Sequence, residues 1–161
     1  MKLIKMLPII FFTLVSCTDQ EIYSEYKSFD NQWPLDETLQ FVLPQTDSIT
    51  PYNLFINVRN TNQFEYSNLY MIAAIHFPNG KVVADTLEYE MALPDGSWLG
   101  KGNRVKDNKL WYKEQVRFYE EGNYTITLKH AMRNINQVEG VTQLKGITDV
   151  GISIEKAVSN N

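Results

Sequence analysis

The sequence is poor in the residues from which cross-links, metal sites and catalytic centres are built. It has one cysteine, Cys17, so it cannot form a disulfide within the chain. Its two histidines, His76 and His130, do not supply the three or four ligands that a zinc site needs. It also has no Gly-x-Ser-x-Gly elbow, phosphate-binding loop or His-Glu-x-x-His pattern. We therefore predict a non-enzymatic protein without metal or cofactor, whose core holds the fold without cross-links.

The chain also lacks an excess of positive charge and a long apolar run. Its formal net charge is −4, and an acidic domain is poorly suited to binding nucleic acid or an anionic lipid surface. The apolar run at residues 7–15 contains Pro8 and is nine residues long. Because a helix needs about 20 apolar residues to cross a bilayer, this run is too short to remain there as a helix. We expect no nucleic-acid partner.

The N-terminus has the pattern of a bacterial lipoprotein signal. Lys2 and Lys5 stand at the start, the apolar run follows, and residues 14–17 read Leu-Val-Ser-Cys, which resembles a lipobox. The resemblance implies diacylglycerol on the thiol of Cys17, cleavage before Cys17, and a fatty acid such as palmitate on the new amino group. Two or more acyl chains hold a protein firmly at a membrane. We therefore expect residues 1–16 to be a signal peptide and Cys17 to be the lipid anchor.

Behind the signal we expect one domain on a short tether. Residues 17–28 are predicted to form the lipidated N-terminus and tether, with a first strand joining from about Tyr23, and residues 29–161 a single domain. Loss of the two signal lysines changes the formal charge from −4 to −6. Thr18 follows Cys17, in place of the aspartate that retains proteobacterial lipoproteins in the inner membrane. This favours the outer membrane, and the few acidic residues near Cys17 favour its periplasmic face.

Alternating apolar and polar residues predict an all-β domain. Apolar side chains recur at every second position, as expected for strands with one face in a core. The predicted strands are residues 23–28, 39–42, 52–59, 70–77, 81–91, 109–118, 124–132 and 148–155. Residues 70–77 are apolar on both faces, which predicts a central strand. Because the strands are short and no long stretch has the helical period, we predict a two-sheet antiparallel β-sandwich, with a jelly roll as candidate topology.

Two connections carry specific predictions. Asn79-Gly80 predicts a tight type I′ hairpin turn with positive φ at both residues. Residues 94–102 predict an irregular loop in which Trp98 and Leu99 lie between glycines, where a core strand would alternate. Glycine permits close backbone approach, and tryptophan is enriched at interface hot spots. We therefore predict that Trp98 and Leu99 bind a partner. The alternative is that Trp98 folds back as a plug over one end of the sandwich.

Carboxylates and tryptophans allow two further interpretations. Paired carboxylates can perform acid–base chemistry or bind calcium, and Asp85, Glu88, Glu90 and Asp95 lie close together in the sequence. Side chains alternate along a strand, so Asp85 should face away from Glu88 and Glu90, which favours solvated strand residues.

Three tryptophans, with nine tyrosines, also suggest a platform on which sugars could stack. Trp33, Trp98 and Trp111 would have to share a surface for this purpose. Ordinary burial in a sandwich core is the competing interpretation, and Trp98 in its glycine-flanked loop is the tryptophan we expect to be most exposed.

Six stretches, taken together and in order, resemble the GldH family of gliding-motility lipoproteins of Bacteroidetes. They are PYNLFINVRN at 51–60, FPNGK at 77–81 with DTLEYEM at 85–91, PDGxWLGxG at 94–102, KLWYKE at 109–114, HAMR at 130–133, and LxGITDVG at 144–151. With the lipobox, the resemblance covers nearly the whole mature chain.

The resemblance implies a non-enzymatic cell-envelope lipoprotein that is needed for gliding, is linked to type IX secretion and acts beside other gliding-motility and secretion envelope proteins. It implies no catalytic residue. We interpret the chain as a membrane-tethered adaptor, and the alternative is a β-sandwich carbohydrate-binding module on a lipid anchor. An adaptor predicts an apolar or loop-formed patch on a polar surface. A carbohydrate-binding module predicts at least two exposed, coplanar tryptophans.

Overall fold

The computed structural model describes residues 20–157, which form antiparallel strands and no helix. The predicted signal peptide at 1–16 and Cys17 lie outside the described residues. Within 20–157, no helix has the length and apolar character needed to cross a membrane. The ten strands are β1 (Glu21–Ser28), β2 (Gln32–Pro34), β3 (Leu39–Val42), β4 (Tyr52–Thr61), β5 (Asn68–His76), β6 (Val82–Glu90), β7 (Val105–Val116), β8 (Thr125–His130), β9 (Gln143–Lys145) and β10 (Ile147–Lys156).

The strands pair as nested partners. β1 pairs with β10, β2 with β9, β3 with β8, β4 with β7 and β5 with β6, all antiparallel. The chain is thus one long antiparallel ribbon wrapped around a core, as in a jelly roll. Two further pairings, β10 with β4 and β8 with β5, produce sheets of order β1-β10-β4-β7 and β3-β8-β5-β6. This confirms the predicted antiparallel sandwich and the central position of β5.

The core lies between the two four-stranded sheets. The core is apolar because every second residue of each strand points inward, and these residues are mostly apolar. The inward side chains include Leu39, Phe41, Leu54, Ile56, Val58, Leu69, Met71, Ile126, Leu128, Val150, Ile152 and Ile154. The short β2–β9 pair adds Trp33 and Leu144, both fully buried.

The first described residue and the last lie at the same end of the sandwich. The Lys156 N–H donates to the Gln20 carbonyl at 3.0 Å, and the Ala157 N–H donates to the Pro51 carbonyl at 2.9 Å. We call this the proximal end, formed by Gln20, Ala157 and the loops 43–51, 77–81 and 117–124. The distal end is formed by the loops 62–67, 91–104 and 131–142. β4 runs from one end to the other and has ten residues, which corresponds to about 30 Å.

The type I′ prediction for the Asn79-Gly80 turn is wrong. Gly80 has φ of 89°, but Asn79 is not among the residues with positive φ. The Gly80 N–H donates to the Phe77 carbonyl at 3.0 Å, and the Phe77 N–H donates to the Lys81 carbonyl at 2.8 Å. This is a three-residue loop in which a type I turn precedes one left-handed glycine. Pro78 explains the difference, since its ring fixes a negative φ at the first corner of a type I turn.

The short strands β2 and β9 are not among the strands that the alternating pattern predicts. Each has three residues, too few to show an alternating pattern. β1 begins at Glu21, two residues before the predicted start, and pairs along its length with β10. Residues 21–28 of the predicted tether therefore form an edge strand of the sandwich.

Candidate partner-binding site at the distal end

The loop that carries Trp98 and Leu99 begins as a small hairpin. The Leu93 N–H donates to the Ser97 carbonyl at 2.8 Å, the Gly96 N–H donates to the Leu93 carbonyl at 2.9 Å, and Gly96 has φ of 84°. The hairpin closes where Ala92 and Trp98 form a β-bridge. Asp95 accepts hydrogen bonds from the backbone and hydroxyl of Ser97, which lower the pKa of Asp95. The loop tip is thus a defined turn.

Trp98 and Leu99 lie differently in this loop. Trp98 is half-buried and packs against the core, with its ring 6.3 Å from the ring of Phe64. Leu99 is fixed by its N–H, which donates to the Met91 carbonyl at 3.0 Å, yet 47% of its surface remains exposed. Trp98 therefore covers part of the core, as a plug would, while some of its surface remains accessible. The next residue, Leu99, exposes an apolar side chain.

The glycines that follow contact the chain's own strand β7. A Cβ on Gly100 would lie 2.5 Å from the Asn108 amide oxygen, and a Cβ on Gly102 would lie 2.2 Å from the Val105 carbonyl. Asn108 is buried and donates to the Val58 carbonyl at 2.9 Å. Glycine at these two positions therefore allows the loop backbone to approach strand β7 of the same domain, where a partner protein was expected.

A second apolar tip at the distal end was missed by the sequence analysis. In the loop 131–142, Ile135 is 91% and Val138 is 79% exposed. The hydroxyl of Tyr66 donates to Asn134 at 2.9 Å, and the Tyr66 ring lies 5.6 Å from Phe64, which also contacts Trp98. Side-chain contacts thus connect the two loops. The sequence signal was weak, because single apolar residues in a polar segment have no periodicity.

The predicted carboxylate cluster is divided between two faces of β6. Asp85 points inward, where its carboxylate lies 2.9 Å from Lys113 Nζ and accepts a hydrogen bond from the Tyr112 hydroxyl at 3.2 Å. Burial and the charge of Asp85 raise the pKa of Tyr112. Glu88 points outward, and hydrogen bonds from Tyr70 and Asn68 lower its pKa. The opposite orientation predicted for Asp85 is confirmed.

The two histidines have different surroundings. His130 is buried beside Trp33, and neither ring nitrogen makes a hydrogen bond. Burial lowers the pKa of His130. His76 contacts the Thr127 hydroxyl at 3.2 Å. Within 20–157, no group of three His, Cys, Asp or Glu residues is arranged to hold a metal ion.

The three tryptophans occupy separate places. Trp33 is fully buried and stacks on Phe29 at 5.7 Å. Trp98 belongs to the distal loop. Trp111 is exposed on the outer face of β7, where its ring lies 4.4 Å from Phe55. A platform of two exposed, coplanar tryptophans is therefore not formed by these residues, and Trp111 exceeds Trp98 in exposure, contrary to the expectation from the sequence.

Comparison with known proteins identifies the family. Residues 21–154 match the family described as GldH lipoprotein. The chain belongs to the GldH lipoprotein family. The gliding motility lipoprotein GldH homolog of Christiangramia forsetii is 48% identical over 153 residues, covering 92% of this chain and 94% of the relative. The gliding motility lipoprotein GldH of Flavobacterium johnsoniae is 44% identical over 144 residues, covering 89% of each.

The GldH match runs from the first residue of β1 to two residues before the end of β10, and it includes the loops 91–104 and 131–142. The resemblance based on six sequence motifs is confirmed, and the chain is a lipid-anchored, membrane-associated protein of the gliding-motility lipoprotein family. Cys17 precedes the matched residues 21–154, so its acylation remains a prediction. Among solved structures, the infectious bursal disease virus VP2 subviral particle is 13% identical, with a TM-score of 0.41, over 96% of this chain and 38% of the viral chain.

Proposed function

We propose that this GldH-family protein is a non-enzymatic, membrane-tethered adaptor of the gliding-motility machinery, linked to type IX secretion, and that its distal end binds another envelope protein. Acyl chains on Cys17 hold the protein at the outer membrane, on the periplasmic face. The proposal assigns the anchor to one end of the sandwich and the partner to the other.

The observation that carries the proposal is the set of exposed apolar side chains at the distal end. Leu93 and Leu99 project from the loop 91–104, and Ile135 and Val138 project from the loop 131–142. Both loops are held by hydrogen bonds, so the exposure belongs to defined tips. Exposed apolar patches on an otherwise polar surface are typical of protein-binding sites.

Half-buried Trp98 supplies the rigid support that such a site needs. Its contact with Phe64 fixes the base of the loop, and the next residue along the chain is the exposed Leu99. Large aromatic anchors surrounded by smaller contacts are the usual source of interface energy. Tethering at a membrane also raises the local concentration, so a modest contact area suffices.

Substitution of the two exposed tips by aspartate tests the proposal. Leu99→Asp and Ile135→Asp, produced in cells that lack the native copy, should remove the crosslinked partner from native membranes and impair gliding and secretion. Val42→Asp is the matched control, because Val42 is 50% exposed and Leu99 is 47% exposed. Val42 is the last residue of β3 and lies on its outer face at the proximal end, so the length of the sandwich separates it from the loops 91–104 and 131–142.

Unchanged crosslinking and gliding in both distal variants would contradict the adaptor proposal. Loss of function in Trp111→Ala, with the distal variants active, would favour the carbohydrate-binding alternative. Trp111 is the exposed tryptophan, on a face with Phe55 beneath it, so that alternative rests on this residue.

A further inference from the structure

The proximal end carries two exposed apolar side chains, and it is also the end from which the chain leads back to Cys17. Gln20 lies at this end, hydrogen-bonded to Lys156. Cys17 precedes Gln20 by three residues. Even a fully extended chain covers only about 10 Å in three residues. Acyl chains on Cys17 would therefore hold Gln20 within about 10 Å of the bilayer surface.

Ile49 and Tyr119 are the most exposed large apolar side chains at this end. Ile49 is 79% and Tyr119 is 72% exposed. They belong to the loops 43–51 and 117–124, which together line a cavity of about 330 Å³. The two loops that carry Ile49 and Tyr119 thus lie beside each other at the proximal end.

Both tips are held by the fold. The Asp47 carboxylate accepts hydrogen bonds from the N–H groups of Thr50 at 2.5 Å and Ile49 at 2.9 Å, and from the Tyr52 hydroxyl at 2.9 Å. These hydrogen bonds lower the pKa of Asp47 to about 2. Ile49 is therefore presented by a fixed turn.

Tyr119 follows Phe118, which is buried against Tyr52 and Tyr124 at ring distances of 5.9 and 4.8 Å. On its other side, the Glu120 N–H donates to the Tyr124 hydroxyl at 3.0 Å. The exposed ring of Tyr119 thus lies between Phe118 and Glu120, both of which are held in place by contacts within the domain.

The chemistry of this end suits a bilayer interface. Tyrosine is enriched where apolar chains meet polar headgroups, and an aliphatic side chain gains from contact with the acyl region. The charged side chains of this end are of both signs: Lys81, Arg117 and Lys156 are positive, and Asp47 and Glu121 are negative. Attraction to anionic lipid is therefore not required, and apolar insertion is the dominant contribution.

We propose that Ile49 and Tyr119 insert into the interfacial region of the membrane that holds the lipid anchor. The domain then has a second membrane contact besides its acyl chains. This contact orients the sandwich, so that the distal loops point away from the bilayer. The inference rests on acylation at Cys17, which is part of the proposed function.

Single-cysteine labelling of the full acylated protein tests this contact. Cys17 is the only native cysteine, so after acylation an introduced thiol is the single labelling site. Ile49→Cys and Tyr119→Cys are labelled with an environment-sensitive fluorophore in vesicles of phosphatidylethanolamine and phosphatidylglycerol. Ile135→Cys and Val138→Cys are the controls, since these distal positions are 91% and 79% exposed.

Labels at 49 and 119 should emit at shorter wavelength, be quenched by nitroxide-bearing lipid, and be protected from aqueous iodide. Labels at 135 and 138 should emit at longer wavelength, be unaffected by nitroxide-bearing lipid, and be quenched by aqueous iodide. Equal iodide quenching at all four positions of an acylated protein would overturn the membrane contact and leave the adaptor proposal standing. A chain whose mass shows no lipid on Cys17 would overturn both. Vesicles of phosphatidylcholine alone should give the same pattern; protection that requires anionic lipid would contradict apolar insertion.

Discussion

Gly80 and Gly96 occupy the same position in two nearly identical turns. Each follows a proline and an Asn or Asp, has φ of 89° or 84°, and donates its N–H to the carbonyl three residues earlier. In both turns the preceding Asn79 or Asp95 side chain accepts the N–H two residues further on, at 2.9 Å. One turn closes the proximal hairpin β5–β6, and the other shapes the distal loop that carries Trp98.

Gly80→Ala and Gly96→Ala should each destabilise the protein by about 1 kcal/mol. A Cβ at either position meets no atom within 4 Å, so the loss is due to backbone strain alone. Asn tolerates the left-handed conformation better than Ala, so Gly80→Asn should lose less. Denaturant unfolding of the detergent-solubilised protein measures each difference. An Asn variant as unstable as the Ala variant would argue against strain as the cause.

Asp85 and Lys113 should be energetically coupled across the two edge strands. Their side chains are 28% and 34% exposed, so water screens the pair only in part. We expect a coupling free energy of about 0.5–1 kcal/mol from a double-mutant cycle with Asp85→Ala and Lys113→Ala. The exposed pair Glu25 and Lys27 is the control and should show weaker coupling. Equal coupling in both pairs would show that burial contributes nothing.

His130 should make the fold less stable as the pH falls. Its pKa in the folded protein is lowered from 6.5 by burial, so the unfolded chain binds the proton more readily. The stability associated with neutral His130 is complete above pH 6.5 and is lost as the pH falls below that value. His130→Met should therefore have a shallower pH dependence of its unfolding free energy than the native protein. Parallel curves for the two proteins would contradict this assignment.

The sequence predicted the strands well because their signal is local. Alternation located eight of the ten strands, including β4 and β10 with nearly correct bounds. The nested pairing depends on contacts between the two ends of the chain, such as Glu21 opposite Glu155, and no local pattern encodes it. The type I′ error arose because Asn-Gly was read without the preceding proline, Pro78, which selects the type I turn.

The candidate site was only partly accessible to sequence reasoning for a similar reason. Trp98 and Leu99 stood out because an apolar pair interrupts a glycine-rich stretch. How deeply Trp98 is buried depends on Phe64, which comes from a different loop. Ile135 and Val138 reach the same end through the Tyr66–Asn134 hydrogen bond, a contact that spans 68 positions of sequence.

Trp98→Ala should separate partner binding from simple support of the fold. Trp98 is half-buried, so its truncation should lower the unfolding free energy by about 2 kcal/mol, less than the 3–5 kcal/mol typical of a fully buried aromatic. As an interface hot spot it should also weaken partner crosslinking about tenfold or more. Trp98→Phe should keep most of the stability and recover part of the binding.

Trp111→Ala is the matched control for this loss. Trp111 also contacts a buried aromatic, Phe55, and remains partly exposed. Its removal should lower stability by a comparable amount while crosslinking, gliding and secretion persist. If Trp98→Ala lowers the melting temperature far more than Trp111→Ala does, and partner crosslinking falls only as far as the folded fraction falls, then Trp98 is a plug. If cells with Trp98→Ala glide and secrete normally, Trp98 has no role in the partner site, because the proposed contact cannot be made without its ring.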